Sequence, residues 1–193
     1  MIELMVTVSI IVIISSIVLF NFPSFASRIL LENLTHEIAL VVRQAQVYGI
    51  GIKQTTGGLF PAYGAHFSNS SGVITVGGIT EEARKLVIFF ADLPAGTGNG
   101  QYDGGEEVET FTIQRGNTVS DLCYTNAIHT TWQCDVNNLD VIFKRPEPEA
   151  HIKTNPDIGE LDSARITVTL PSAEIGERYI TVYSSGQIAV TAE

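Results

Sequence analysis

The first 22 residues of the chain, Met1 to Phe22, read MIELMVTVSIIVIISSIVLFNF. From Leu4 to Phe20 nearly every side chain is apolar, and the interruptions are threonine and serine residues, whose hydroxyls can hydrogen-bond to a carbonyl of the preceding helical turn. Because a helix rises about 1.5 Å per residue, this run predicts a helix of roughly 30 Å, which is long enough to cross the hydrocarbon core of a bilayer.

The acidic residue at the start of this run needs its own explanation. Glu3 is the only charged residue before Arg28. A carboxylate at the edge of an apolar helix is costly in lipid unless a positive charge pairs with it. A secretory signal peptide would instead show a basic first segment and a cleavage site of small residues, and this run shows neither. Two interpretations stay open: a plain membrane anchor, and a helix whose glutamate meets a positive charge such as the amino terminus of a neighbouring copy.

The run from Met1 to Ile10 resembles the N-terminal signature of type IV pilins and of the pseudopilins of type II secretion. That signature has an aromatic first residue, a glutamate at the fifth mature position and an unbroken apolar helix. Glu3 stands two positions earlier, and no leader peptide with a terminal glycine precedes it here, so we expect that the sequence begins two residues inside the mature protein or at a misassigned start. The resemblance implies processing by a prepilin peptidase, N-terminal methylation, and assembly through Glu3 with other copies or related pilin subunits.

A second, one-sided helical pattern follows the apolar run. Pro23 cannot donate a hydrogen bond to the preceding turn, so we expect a kink or a local melt there. Beyond it, apolar residues recur at spacings of three and four, which predicts an amphipathic helix that ends at Gly49 and Gly51. The residues of this stripe are Leu31, Leu34, Ile38, Val41, Ala45 and Tyr48. The resemblance implies that this half packs against a β-sheet.

From Leu59 onward the pattern changes to period two with β-branched residues, which predicts strands. Pro61 restricts the first of them to a sheet edge, and the last two read as a hairpin around Ser184-Ser185-Gly186. The predicted strands are Leu59–Phe67, Val73–Val76, Leu86–Ala91, Val108–Gln114, Leu139–Lys144, Ala164–Leu170, Tyr179–Tyr183 and Gln187–Thr191.

The predicted fold class is therefore α+β, with a long N-terminal helix packed on an antiparallel β-sheet domain. Residues 1–22 form a transmembrane or filament-core helix, residues 23–50 continue it as an amphipathic stalk, and residues 51–193 form a β-rich head. The runs Phe60–Phe67 and Arg178–Ile188 loosely resemble the H-type minor pseudopilins of type II secretion.

The charge of the chain argues against nucleic acid as a partner. Its net charge is −10, and no cluster of basic residues is longer than two. Binding to phosphates needs a positive surface. Some related minor pilins bind DNA through basic C-terminal residues, but here Arg178 follows Glu177. We expect no binding to nucleic acid.

The chain has two cysteines, Cys123 and Cys134. An N-terminal anchor implies export, and disulfides persist outside the cytosol. A bridge across this loop would stabilise the fold by roughly 3 kcal/mol in the chain-entropy model. A metal site that uses both thiolates is the competing interpretation, and His129 is the only histidine between them.

The loop from Asp92 to Glu109 holds five acidic residues and no basic one. Its second half matches a calcium loop, with Asn99 at position five, a glycine at position six, Asp103 at nine and Glu106 at twelve. The first half does not match, so Asp92 would be a displaced ligand, and Glu107 or backbone carbonyls would complete the set. The sequence thus predicts a possible calcium cofactor at this loop, and a solvated acidic loop is the alternative.

No zinc-ligand spacing, nucleophile elbow, P-loop or dinucleotide fingerprint occurs in the sequence, so we expect no enzymatic activity. The resemblance implies a structural subunit of a type IV pilus-like filament or secretion pseudopilus. Such a subunit resides in the cytoplasmic (inner) membrane before assembly and then in a periplasmic or extracellular filament. The alternative function is a membrane-tethered, exported binding module with a calcium-binding acidic loop.

Overall fold

A single helix, α1, carries both N-terminal patterns. The computed structural model describes residues 2–51, 53–54, 60–94, 98–170 and 176–192, without the side chains of residues 18 and 20–24. α1 runs from Ile2 to Ile50 without a break, so the local melt expected at Pro23 is wrong. Its end is closed by a hydrogen bond from the Gly51 N–H to the Val47 carbonyl (2.9 Å). Within the described part of the chain, no helix meets the length and apolarity that a membrane span requires.

Eleven strands are described after α1, and all their pairings are antiparallel. They are β1 (Ala62–Ser68), β2 (Val73–Val76), β3 (Ile79–Glu82), β4 (Leu86–Asp92), β5 (Glu107–Thr112), β6 (Thr118–Thr125), β7 (Asn138–Phe143), β8 (Ala150–Asn155), β9 (Ser163–Thr169), β10 (Arg178–Tyr183) and β11 (Ile188–Ala192).

The strands form two main sheets and a separate hairpin. The larger sheet has the order β5-β4-β1-β7-β8, the smaller one has the order β11-β10-β9-β6, and β2 pairs only with β3. The second half of α1 contacts β1, β4 and β7 of the larger sheet and β10 and β11 of the smaller one. The helix therefore closes one core against both sheets, which confirms the predicted fold class.

Strand β4 shows how the larger sheet is covered on both faces. Because successive side chains of a strand point to opposite faces, Val87, Phe89 and Ala91 enter the main core beneath α1. Leu86 and Ile88 enter a smaller cluster on the other face, under the β2–β3 hairpin. Every residue of β4 is buried as a result.

The last turn of α1 is seated directly on the larger sheet. A Cβ at Gly49 would overlap the backbone of Phe143 in β7, so only glycine allows this close approach. Next to it, the rings of Tyr48, Tyr63 and Phe89 pack with centroids 5.4–5.7 Å apart. The C-terminal end of α1 is therefore in direct contact with the larger sheet.

Several details differ from the prediction. The first strand is not an edge strand: β1 lies between β4 and β7, and Pro61 precedes its first paired residue, Ala62, so no hydrogen bond of the ladder is lost. The predicted start at Leu59 lies outside the described residues. Strands β3, β6 and β8 were not predicted. On α1, Val42 is fully buried and Val41 only half-buried, and every residue of the predicted stripe, Val41 included, contacts the core.

Candidate functional site

The first half of α1 exposes its apolar side chains on all sides. Thr7 and Ser9 donate their hydroxyls to the carbonyls of Leu4 and Met5 (2.9 and 2.8 Å), so these two of the four hydroxyl residues are satisfied within the helix, as predicted. Glu3 lies in the first turn, where the helix dipole favours a negative charge. At least half of the surface is exposed for Ile2, Leu4, Met5, Val6, Val8, Ile10, Ile11, Val12, Ile13, Ile14, Ile17 and Leu19.

The second half of α1 is held by the β-rich domain. Leu31, Leu34, Ile38, Val42 and Ala45 are buried on one face of the helix. A hydrogen bond also holds the C-terminal part of this half. Gln46 Nε2 donates to the carbonyl of Gly186 (2.9 Å) in the turn between β10 and β11. Arg43 Nη1 in turn donates to Gln46 Oε1 (2.6 Å).

The opposite face of this half carries an apolar stripe that sequence reasoning missed. Phe25, Leu40 and Val47 are 60–66% exposed, and Ile29 is 42% exposed. Leu40 lies two residues, or about 200° of helical rotation, beyond the buried Ile38, which places it on the side away from the domain. The spacings of four, eleven and seven residues are visible in the sequence, but the prediction assigned an apolar stripe to one face of the helix only.

A groove runs beside this outer stripe, between α1 and the edge strand β11. Its volume is about 480 Å³, and its walls are His36, Ala39, Leu40, Arg43, Ile188 and Val190. Four of these residues are apolar, and the other two, His36 and Arg43, are exposed. The groove can therefore receive an apolar segment that carries a negative charge.

The structure brings three of the predicted calcium ligands into one loop between β4 and β5. Glu106 accepts two backbone bonds, from Leu93 N–H to Oε1 (2.8 Å) and from Asp103 N–H to Oε2 (2.9 Å). Asp92 Oδ2 accepts from Gly100 N–H (3.1 Å). These carboxylates thus close the loop by binding its own amides.

The other two predicted ligands are also tied within the loop. Asn99 donates from Nδ2 to Asp103 Oδ2 (2.9 Å), and its Oδ1 accepts from Gln101 N–H (2.9 Å). Glu107 Oε2 accepts from Gly105 N–H (2.9 Å), and its pKa is lowered by backbone hydrogen bonds, first that of its own N–H. Burial and the charge of Glu107 raise the pKa of Tyr102 to about 12.

Asp92 is the unusual group of the loop, since it is only 5% exposed. Its Oδ1 is buried and has no hydrogen-bond partner among the described residues. Burial raises the pKa of this carboxyl, and the charges of Glu106 and Asp103 act in the same direction. A Cβ at Gly98 would overlap the carboxylate, so the loop backbone lies directly over it. Within the described ranges, no three acidic, histidine or cysteine side chains are grouped so that they could hold a metal ion.

The predicted disulfide between Cys123 and Cys134 is present, with the two Cα atoms 4.0 Å apart. Beside it, the Arg165 guanidinium lies between the rings of Trp132 and Tyr179, 4.7 and 4.8 Å from their centroids. Cation–π contacts on both faces hold the loop end against the smaller sheet. This arrangement is structural and shows no chemistry of its own.

His66 in β1 is half-buried and belongs to a hydrogen-bonded pair. Its Nδ1 lies 2.7 Å from Asp140 Oδ1 on the neighbouring strand, at opposed positions of β1 and β7. The ring packs against Tyr102, 5.0 Å between centroids. Asp140 was not singled out from the sequence, because only the register of the two strands brings it to His66.

Comparisons with known proteins give one structural similarity. No protein-family model matches the chain, and no curated protein matches it. Among solved structures, the chain is similar to the type IV minor pilin FimU of Pseudomonas aeruginosa strain PAO1. The two are 11% identical, the alignment covers 88% of this chain and 96% of that one, and the TM-score is 0.48.

Proposed function

We propose that this chain is a structural subunit of a type IV pilus-like filament, either a pilus or a secretion pseudopilus. The observation that supports it is the contrast between the two halves of α1. The second half buries one face in the domain, whereas the first half leaves its apolar side chains at least half exposed. Full burial of one such side chain contributes about 1.5–3 kcal/mol, so the first half gains stability only in lipid or against other helices.

In this proposal the subunit resides in the cytoplasmic membrane before assembly and is processed there by a prepilin peptidase and methylated at its N terminus. During assembly the apolar half leaves the lipid and packs with the same half of other subunits in the filament core. The β-rich domain then faces outward, in the periplasm or outside the cell. Glu3 meets a positive charge of a neighbour, which is the terminal amine in the arrangement that the resemblance implies.

The test compares two acidic residues of the same helix. Glu3→Ala removes the charge in the apolar half, and Glu37→Ala removes an exposed charge in the half that the domain holds. We expect both variants to fold and to reach the membrane, and only Glu3→Ala to reduce the yield of filaments in sheared surface material, counted by electron microscopy. Wild-type yields from Glu3→Ala, or a wild-type chain that stays a tethered monomer, would contradict the proposal.

A second candidate function is calcium binding by the acidic loop of a membrane-tethered binding module. One observation favours it: the buried Oδ1 of Asp92 has no hydrogen-bond partner among the described residues, and a cation would satisfy it. The fit is partial. Calcium takes six or more oxygens, and both oxygens of Glu106 already accept backbone amides. Asp92, Asp103 and Glu107 would have to supply the carboxylate oxygens.

A calcium titration of the thermal unfolding temperature tests this candidate. For a dissociation constant of 0.1–1 mM, typical of extracellular sites, 10 mM calcium would stabilise the fold by about 1.4–2.7 kcal/mol. That corresponds to a rise of about 3–10 °C for a chain of this size. Asp103→Asn should abolish the rise, and Glu147→Gln, an exposed acid outside the loop, should keep it. An unchanged unfolding temperature at this concentration would remove the site.

A further inference from the structure

A cavity of about 370 Å³ lies between α1 and the turn that connects β5 to β6. On one side the helix contributes Asn33 and Glu37, whose spacing of four residues places them on the same face of α1. On the other side the turn contributes Gln114, Arg115 and Asn117. The cavity shares no lining residue with the groove between α1 and β11, and the proposed filament function assigns it no role.

The fold does not use the polar side chains around this cavity. Asn33, Glu37, Gln114 and Arg115 are exposed, and among the described residues none of their side chains has a hydrogen-bond or ion-pair partner. Asn117 is only 3% exposed. Its Nδ2 donates to the Gln114 carbonyl (3.2 Å), but its Oδ1 is buried and has no partner in the described part of the chain. Because buried polar atoms are nearly always paired, Oδ1 needs a donor that these residues do not supply.

The turn holds Arg115 in an unfavourable backbone conformation. Arg115 and Gly116 have φ angles of 61° and 77°, and the Asn117 N–H donates to the Gln114 carbonyl (3.3 Å). These features are typical of a type I′ turn, in which Asn, Asp or Gly normally occupies the position of Arg115. Among the residues that the structure describes, Arg115 is the only one other than glycine with a positive φ. Backbone strain of this kind concentrates at functional sites, which indicates that this position serves the Arg115 side chain and not the turn.

We propose that this cavity binds a neutral sugar ring. The opposite charges of Glu37 and Arg115 cancel, so the cavity favours a ligand without net charge. Sugar hydroxyls both donate and accept hydrogen bonds, as the three amide side chains of the cavity do. The half-buried ring of Phe111 lines the same cavity and offers an apolar face to the C–H groups of a sugar. The volume lies at the small end of the range for ligand cavities, about 300–1,000 Å³, and therefore suits a single ring.

Saturation-transfer-difference NMR of the full chain tests this proposal. The chain is kept in a detergent without a sugar headgroup, because such a headgroup would compete for the cavity. The neutral probes are glucose, galactose, mannose and N-acetylglucosamine, and the charged probes are galacturonate and glucosamine. We expect saturation transfer to at least one neutral sugar and a weaker signal from both charged probes. No signal from any neutral sugar, or an equal or stronger signal from a charged probe, would overturn the proposal.

Two variants assign the signal to the cavity, and the result does not depend on filament formation. Glycine suits a positive φ, so Arg115→Gly should unfold at the temperature of the wild type or above it and should still lose the signal. Asn33→Ala should also weaken the signal, whereas Asn137→Ala, at an exposed asparagine away from the cavity, should keep it. Undiminished signals from Arg115→Gly and Asn33→Ala would place the sugar elsewhere and overturn the assignment. A fall in the unfolding temperature of Arg115→Gly would contradict the strain argument.

Discussion

Under the proposed filament function, two nearby positions on α1 separate the stability of the chain from its assembly. Ile38 is fully buried between the helix and the sheets, and Leu40 is 66% exposed on the opposite face. Both are large aliphatic residues in the same helix, so truncation to alanine changes helix propensity by similar small amounts. The pair Ile38→Ala and Leu40→Ala therefore differs mainly in what the removed atoms touch.

The size of the effect follows from burial. Ile38→Ala removes three carbon atoms from the core, worth about 2.4 kcal/mol in transfer free energy, and the cavity brings the loss to about 2–5 kcal/mol. For a chain of this size that is a fall of about 4–20 °C in the unfolding temperature. Leu40→Ala removes exposed atoms and should stay within about 0.5 kcal/mol of the wild type.

The assay is thermal unfolding of the full-length chain in detergent, followed by circular dichroism, together with a count of surface filaments. We expect Ile38→Ala to lose stability, and Leu40→Ala to unfold like the wild type and yet to form fewer filaments. An equal loss of stability in both variants would refute the reasoning, since it would mean that the outer face is packed within the subunit. An unchanged Ile38→Ala would equally refute the packing of α1 on the sheets.

Three further changes test the domain itself. Replacing Cys123 and Cys134 by serine should cost roughly 3 kcal/mol, or about 6–12 °C, in unfolding experiments without reductant. Gly64→Ala places a Cβ 2.7 Å from a buried phenylalanine ring and should lower the free energy of unfolding by about 1–3 kcal/mol. Gly104→Ala is the control: a Cβ there meets no atom within 4 Å, so this variant should be as stable as the wild type. The pKa of Asp92 is raised in the folded chain, so the protonated carboxyl stabilises the fold. This contribution is complete below the pKa of the unfolded chain, about 3.9, and is lost as the pH rises through the pKa of the folded chain. In calcium-free buffer Asp92→Asn should therefore unfold at a higher temperature than the wild type at pH 7, and this difference should disappear near pH 3.

The helix could be predicted well because burial leaves a strong mark on its sequence. Leu31, Leu34 and Ile38 repeat at helical spacing, and a domain had to cover them. Strand β6 was missed for a physical reason: the register shifts between Val119 and Asp121, which breaks the alternation of its apolar residues. In β8, Ile152 is the only large apolar residue among six, so the alternation carries little signal.

The candidate site was predicted less completely than the fold. The acidic residues of the β4–β5 loop could be singled out because charge is visible in a sequence, and their role as calcium ligands stays a prediction. The amides that Glu106 binds were not foreseeable, because they approach it only after the loop closes. The outer stripe of Phe25, Leu40 and Val47 left a visible pattern, but its exposure became clear only once the position of the domain on the other face was known.

The close seating of α1 on the sheets has a mechanical consequence. The glycine at position 49 brings the helix onto the backbone of β7, and Gln46 ties it to the turn at Gly186. A tensile force along the second half of α1 is therefore carried in shear by its interface with the sheets. In the filament proposed above, this interface would transmit tension from the helical stalk to the β-rich domain.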